Sequence, residues 1–117
     1  MSGSTCPIEI VRETIEKLNT KDIVVLYGMT ETSPTITINY KHDTLENRTQ
    51  TIGQALEHIE IKVVDSENRI VPVNTPGELL VRGYNTMLGY WGDKEKTEET
   101  YTPDRFLKTG HKLCFTF

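Results

Sequence analysis

Cysteine is nearly absent from this 117-residue chain. Cys6 and Cys114 stand at opposite ends, so neither a disulfide framework nor a Cys-x-x-Cys metal site is available. Histidine is equally sparse: His42, His58 and His111 are scattered and make no Cys/His quartet with the two distant cysteines, which argues against structural zinc. There is no basic stripe and the net charge is −4 at pH 7, so the electrostatic footprint of a nucleic-acid binder is missing and no nucleic-acid partner is expected. No apolar run approaches the ~20 residues of a membrane-spanning helix, and no transmembrane segment is expected. The first residues, Met1 to Thr5, hold neither a basic n-region nor an Arg-rich amphipathic leader, so no address is readable. Cys6 lies near a helix start, where thiolates are favoured, but no partner histidine is visible and it reads as a structural thiol. Low-complexity linkers and internal repeats are also lacking.

What remains is globular in class, with 36% hydrophobic and 26% charged residues, somewhat light on core material. A single domain of this length buries about two-thirds of its unfolded surface. Thr5 is a candidate N-cap and Pro7 suits a first helical turn, after which Ile8, Val11, Ile15 and Leu18 fall on one stripe. Glu13 and Lys17 add an i,i+4 pair, and Asn19 is a candidate stop. Ile23, Val24, Val25 and Leu26 then form a short apolar run, the pattern of a strand buried on both faces. A helix followed by a buried strand is α/β grammar, and such sheets bind ligands at strand carboxyl ends.

At that end stand Tyr27, Gly28, Met29, Thr30 and Glu31. Gly28 would let backbone approach a ligand, Tyr27 offers a ring for stacking on a base, Thr30 a hydroxyl for a phosphate oxygen, and Glu31 hard oxygens for Mg²⁺. A strand ending in a polar turn, with Tyr27 in the core and Glu31 solvated, explains the pentapeptide equally well. Residues 32–51 have few apolar positions and read mostly as loop. From Ile59 the period changes to two. Ile59, Ile61 and Val63 alternate with Glu60 and Lys62, Ser66 to Asn68 makes a turn, and Arg69 to Val73 and Gly77 to Gly83 supply further short strands of an antiparallel meander. The charged run Asp93 to Thr100 reads as a solvated helix. Glu78, Gly77, Gly83 and Gly89 are expected to be structural.

The segment Tyr27-Gly28-Met29-Thr30-Glu31-Thr32-Ser33-Pro34 resembles the Tyr-Gly-x-Thr-Glu signature of the adenylate-forming (AMP-binding) superfamily of acyl-CoA synthetases, adenylation domains and luciferases. Pro76-Gly77-Glu78-Leu79-Leu80-Val81-Arg82-Gly83-Tyr84 with Met87-Leu88-Gly89-Tyr90-Trp91 is similar to a second block of that superfamily. Ser2-Gly3-Ser4-Thr5-Cys6-Pro7 resembles its small-residue turn, and Phe106-Leu107-Lys108-Thr109-Gly110 the approach to its Thr-Gly-Asp motif. Within the superfamily the signature looks most like medium-chain acyl-CoA ligases of the mitochondrial type.

The resemblance implies an α/β fold, as a fragment of the large N-terminal domain of such an enzyme: helix plus buried strand, then a small antiparallel β-barrel-like subdomain. It implies an α/β layer with the adenylate signature at 1–51, the β subdomain and following helix at 52–110, and a divergent tail at 111–117. The activity it implies joins a fatty or other carboxylic acid to CoA through an acyl-adenylate, with ATP giving AMP and pyrophosphate. By the same resemblance Thr30 and Glu31 would be catalytic, Glu31 would hold Mg²⁺, and Gly3, Ser4, Thr5, Tyr27, Gly28 and Thr30 would contact nucleotide, Gly3 to Thr5 also bordering the acyl pocket. The CoA site would lie mostly elsewhere. His111 stands where the family has the aspartate that binds ribose hydroxyls, and an imidazole lacks its two acceptor oxygens. No phosphate loop and no C-terminal catalytic lysine are present, so the chain alone is expected to be inactive, and an uncovered apolar face invites association.

Overall fold

The computed structural model describes residues 7–20, 23–40 and 42–116. The chain divides into two compact units, Met1–Glu57 and His58–Phe117, each built on its own three-stranded antiparallel sheet.

In the first unit, helix α1 (Ile8–Leu18) follows Pro7 and ends on Asn19 in the left-handed conformation at φ 47°. The Asn19 side chain tolerates that geometry better than most. Of the predicted stripe only Val11 is fully buried; Leu18 is 71% exposed. The Lys17 ammonium meets Glu13 at 2.5 Å as the spacing requires. The proposed Thr5 cap and Cys6 lie outside the described residues. Strand β1 (Leu26–Gly28) is only the end of the apolar run; Ile23 ahead of it is buried and Val24 to Leu26 are half-buried. β1 pairs antiparallel with β2 (Thr35–Ile38), and β2 with β3 (Gln54–Ala55).

Residues 32–51 are therefore not mostly loop. β2 alternates threonine with isoleucine, both β-branched, and buries Ile36 and Thr37 completely. Helix α2 (Leu45–Gln50) starts where the Thr44 hydroxyl accepts the Asn47 N–H. Its polar sequence hid it, because none of its residues is buried. Arg48 binds the unit across the fold: its Nε donates to the Asp43 carbonyl at 2.9 Å and its Nη1 to the Ile23 carbonyl at 3.1 Å.

The second unit holds β4 (Ile59–Val64), β5 (Gly77–Gly83) and β6 (Leu107–Leu113), in the order β4-β5-β6. One face of this sheet packs Ile59, Val63, Leu79, Val81 and Leu107, each at most 8% exposed. The other buries Val64, Leu80 and Phe106 as a cluster. Among the described residues this sheet is open, and the barrel-like subdomain expected from the resemblance does not close into a barrel. Residues 69–73 do not form the expected strand; only a bridge between Ile70 and Val64 forms. Pro72 has no N–H to donate to a ladder, and Asn74 turns left-handed at φ 62°. Helix α3 (Lys94–Thr100) is capped by Asp93, whose side chain accepts the Lys96 N–H.

Charge organises the surface beside Phe106. Lys62 Nζ lies 4.0 Å and Arg82 Cζ 4.4 Å from its ring centroid, within cation–π range. Arg82 forks onto Glu60 at 3.0 and 2.6 Å, and Lys62 meets Asp104 at 2.7 Å. The Lys62 hydrogen bond, with the Thr102 hydroxyl behind it, holds the Asp104 carboxyl down at about 2. The Arg82 hydrogen bond likewise lowers Glu60. Because both carboxyls titrate below their unfolded values, near 4, their stabilisation is full above about pH 4 and is lost as pH falls, for Asp104 down to about pH 2. Asp104→Asn is expected to flatten the acid limb of stability in this unit. Urea midpoints of both proteins, followed from neutral pH to about pH 2, check it; parallel acid limbs would refute it.

Candidate functional site

Chemistry-bearing residues concentrate in the turn between β1 and β2. Thr30–Thr32 form a single 3-10 turn, and Ser33 then adopts φ 53° to bring the chain back into β2. Two backbone hydrogen bonds close it, Thr32 N–H to the Met29 carbonyl at 3.0 Å and Ser33 N–H to the Thr30 carbonyl at 3.3 Å. Within it Thr30 is exposed, and Tyr27, Gly28, Met29 and Glu31 are half-buried. Tyr27 sits opposite Thr37 and Gly28 opposite Thr35, with a bulge between the two pairs. Bulges of this kind re-aim side chains at a strand end.

Gly28 is required for a reason local to the chain. A β-carbon built there would lie 1.7 Å from the Pro34 carbonyl oxygen and 2.9 Å from Thr35 Cα, so the backbone that Gly28 admits is that of the returning strand. Thr32, with no exposed surface, anchors the same carbonyl. Its Oγ1 accepts the Met29 N–H at 3.1 Å and faces the Met29 and Pro34 carbonyl oxygens at 2.9 and 2.8 Å. The single hydroxyl proton is shared between those two acceptors. The signature reading named no role for Thr32; the legible signal was a hydroxyl residue between a strand end and Ser33-Pro34.

The structure thus places Tyr27, Gly28, Thr30 and Glu31 on one short segment. Gly3, Ser4 and Thr5 lie outside the described residues. His111 is exposed on β6 in the second unit, where Gly110 at φ 72° donates its N–H to Glu78 Oε1 at 3.0 Å. Thr109, buried, donates its hydroxyl to the Leu79 carbonyl at 2.8 Å. Among the described residues no three His, Cys, Asp or Glu side chains gather as a metal site. No helix among the described residues is long and apolar enough to cross a membrane.

A family model described as AMP-binding enzyme matches residues 1–91. The chain belongs to that family. Its relatives include the mitochondrial medium-chain acyl-CoA ligase ACSF2 of Bos taurus, 44% identical over 111 residues that make up 94% of this chain and 18% of the relative. The AMP-binding chain therefore spans about a fifth of the length of the curated relatives it matches. Among solved structures it is similar to the anthranilate CoA ligase AuaEII in complex with anthranoyl-AMP, at 28% identity and TM-score 0.84, covering 99% of this chain and 21% of that one. It is likewise similar to apo MatB from Rhodopseudomonas palustris, at 29% identity and TM-score 0.82, covering 97% and 22%. The adenylate-forming resemblance read from the signature holds, and the mixed helix and antiparallel-sheet fold matches the N-terminal domain of such enzymes.

Proposed function

We propose that this AMP-binding chain is the nucleotide-handling segment of an acyl-CoA ligase. The reaction joins a fatty or other carboxylic acid to CoA, using ATP and releasing AMP and pyrophosphate through an acyl-adenylate. The observation that carries the reading is the β1–β2 turn bearing Tyr27, Thr30 and Glu31, in a chain 44% identical to the bovine ligase over 94% of its own length.

The residues present assign themselves by chemistry. Tyr27 flanks the adenine ring, the exposed Thr30 hydroxyl donates to a phosphate oxygen, and the Glu31 carboxylate holds the cation that accompanies ATP. Magnesium, when bound, supplies positive charge against the charge that builds on the phosphates. Gly3, Ser4 and Thr5 border the adenine and acyl pockets, and Gly28 keeps the turn close to its partner strand. The signature belongs to the first unit, Met1–Glu57, and the β subdomain and its helix to the second, His58–Phe117, where His111 on β6 stands in place of a ribose-binding aspartate. CoA binds mostly outside this chain, mitochondrial location follows the relatives, and the chain alone makes no acyl-CoA.

Titration calorimetry of the 117-residue chain with ATP, in Mg²⁺ and in EDTA, tests the reading. Saturable binding is expected, weakened about fivefold or more by Tyr27→Ala, since one stacked base is worth roughly 1–3 kcal/mol. Glu31→Gln should abolish the difference between Mg²⁺ and EDTA. Absence of saturable binding by the unmodified chain overturns the assignment. A second reading, an interaction fragment without catalysis, is favoured by Tyr84, Leu88 and Trp91, which are 75%, 97% and 103% exposed. Concentration-dependent light scattering without nucleotide binding would select it.

A further inference from the structure

We infer that Thr32 is a positioning residue for the cation-holding carboxylate of Glu31, an inference that rests on the nucleotide reading above. Thr32 has no exposed surface and so touches no ligand itself. Its hydroxyl meets three backbone atoms, the Met29 N–H and the Met29 and Pro34 carbonyl oxygens, all between 2.8 and 3.1 Å away. Those atoms lie on either side of Thr30 and Glu31, so one buried group ties the entry of the turn to its exit.

The turn needs such a tie. A single 3-10 turn is held by poor hydrogen-bond geometry, and here one of its two backbone bonds is 3.3 Å long. Ser33 must also stay left-handed at φ 53°, a strained conformation that persists only when the surroundings enforce it. Removing the hydroxyl leaves a half-buried Met29 N–H poorly paired and frees the Pro34 carbonyl, which lies against Gly28 at the start of the return strand. The Glu31 side chain then loses the fixed base that aims it, and displacements near 1 Å in a site are enough to cost up to about 100-fold.

The test is a cycle of Thr32→Val, Thr32→Ser and Glu31→Gln in the 117-residue chain, with ATP affinity measured in Mg²⁺ and in EDTA. A merely structural residue would lower both affinities together. Positioning of Glu31 predicts that T32V collapses the ratio of the two, by about tenfold, to the value seen in E31Q, with little further change in the double variant. T32S, which keeps the hydroxyl, should retain the ratio within about threefold. Circular dichroism confirms that each variant is folded; if T32V is not, Thr32→Cys, a weaker hydrogen-bonding group of similar size, replaces it and should give an intermediate ratio. A wild-type ratio in T32V or T32C overturns the inference while leaving the nucleotide reading intact, as does a T32S that fails like T32V. Absence of any Mg²⁺-dependent gain in the unmodified chain overturns the Glu31 assignment and this inference with it; absence of ATP binding overturns the whole nucleotide reading.

Discussion

Gly28→Ala is expected to unfold the β1–β2 turn and with it most of the first unit. The added methyl would occupy a point 1.7 Å from the Pro34 carbonyl oxygen and 2.7 Å from its carbon. Both obstacles are backbone, so no side-chain rotation relieves them, and the strands must separate. Overpacking of a fitted site costs about 1–3 kcal/mol, and a backbone clash of this depth belongs at or beyond the upper end. That is a large share of the roughly 5–15 kcal/mol that hold a whole domain. Gly92→Ala is the control: nothing lies within 4 Å of its built β-carbon, although its φ of +70° makes alanine strained there. Urea unfolding followed by circular dichroism should show G28A far less stable than both wild type and G92A. A G28A midpoint equal to wild type would refute the tight approach of β1 to Pro34.

Leu80→Ala should be nearly as severe in the second unit. Leu80 is fully buried on the central strand β5, clustered with Val64 and Phe106. Leucine truncation in such a core costs about 2–5 kcal/mol, as lost transfer energy plus a cavity the neighbours cannot fill. Here the neighbours are poorly placed to collapse. Val64 is fixed in a strand, and Phe106 is engaged by Lys62 and Arg82. Leu88→Ala removes the same atoms from a side chain 97% exposed and should change stability by about 0.5 kcal/mol or less. Denaturant midpoints for the two leucine variants check the contrast; equal losses would mean that Leu80 is not the core residue the sheet makes it.

Much of this was legible where local chemistry and tertiary need coincide. Gly77 to Gly83 reads as a strand and is one, because its apolar residues are packed on both faces of the sheet. The charged run Asp93 to Thr100 reads as a solvated helix and forms α3 from Lys94, with Asp93 as its cap, because an N-cap acts through neighbouring backbone alone. The Tyr27 to Glu31 cluster was visible for a similar reason, since a strand breaking into a turn concentrates it in five residues.

Other features had no local signal. β2 hid because its buried partners Ile36 and Thr37 look half polar, and α2 because a six-residue helix with no buried residue has no stripe to find. Residues 69–73 carried strand-forming side chains, yet Ile70 remains 73% exposed. β6 was overlooked since Lys108, Gly110, His111 and Lys112 break its apolar pattern at a sheet edge.

The sequence by itself determined the family, the α1, β4, β5 and α3 segments and the strand-end position of Tyr27, Thr30 and Glu31. Each of these depends on spacing and residue type within a few positions. Only the tertiary structure decided which backbone Gly28 admits, that Thr32 ties the turn, and that Lys62 and Arg82 close over Phe106. Those contacts join residues whose meeting depends on how strands turn and pair, and pairing is fixed by the packing of a whole sheet rather than by any single stretch of chain.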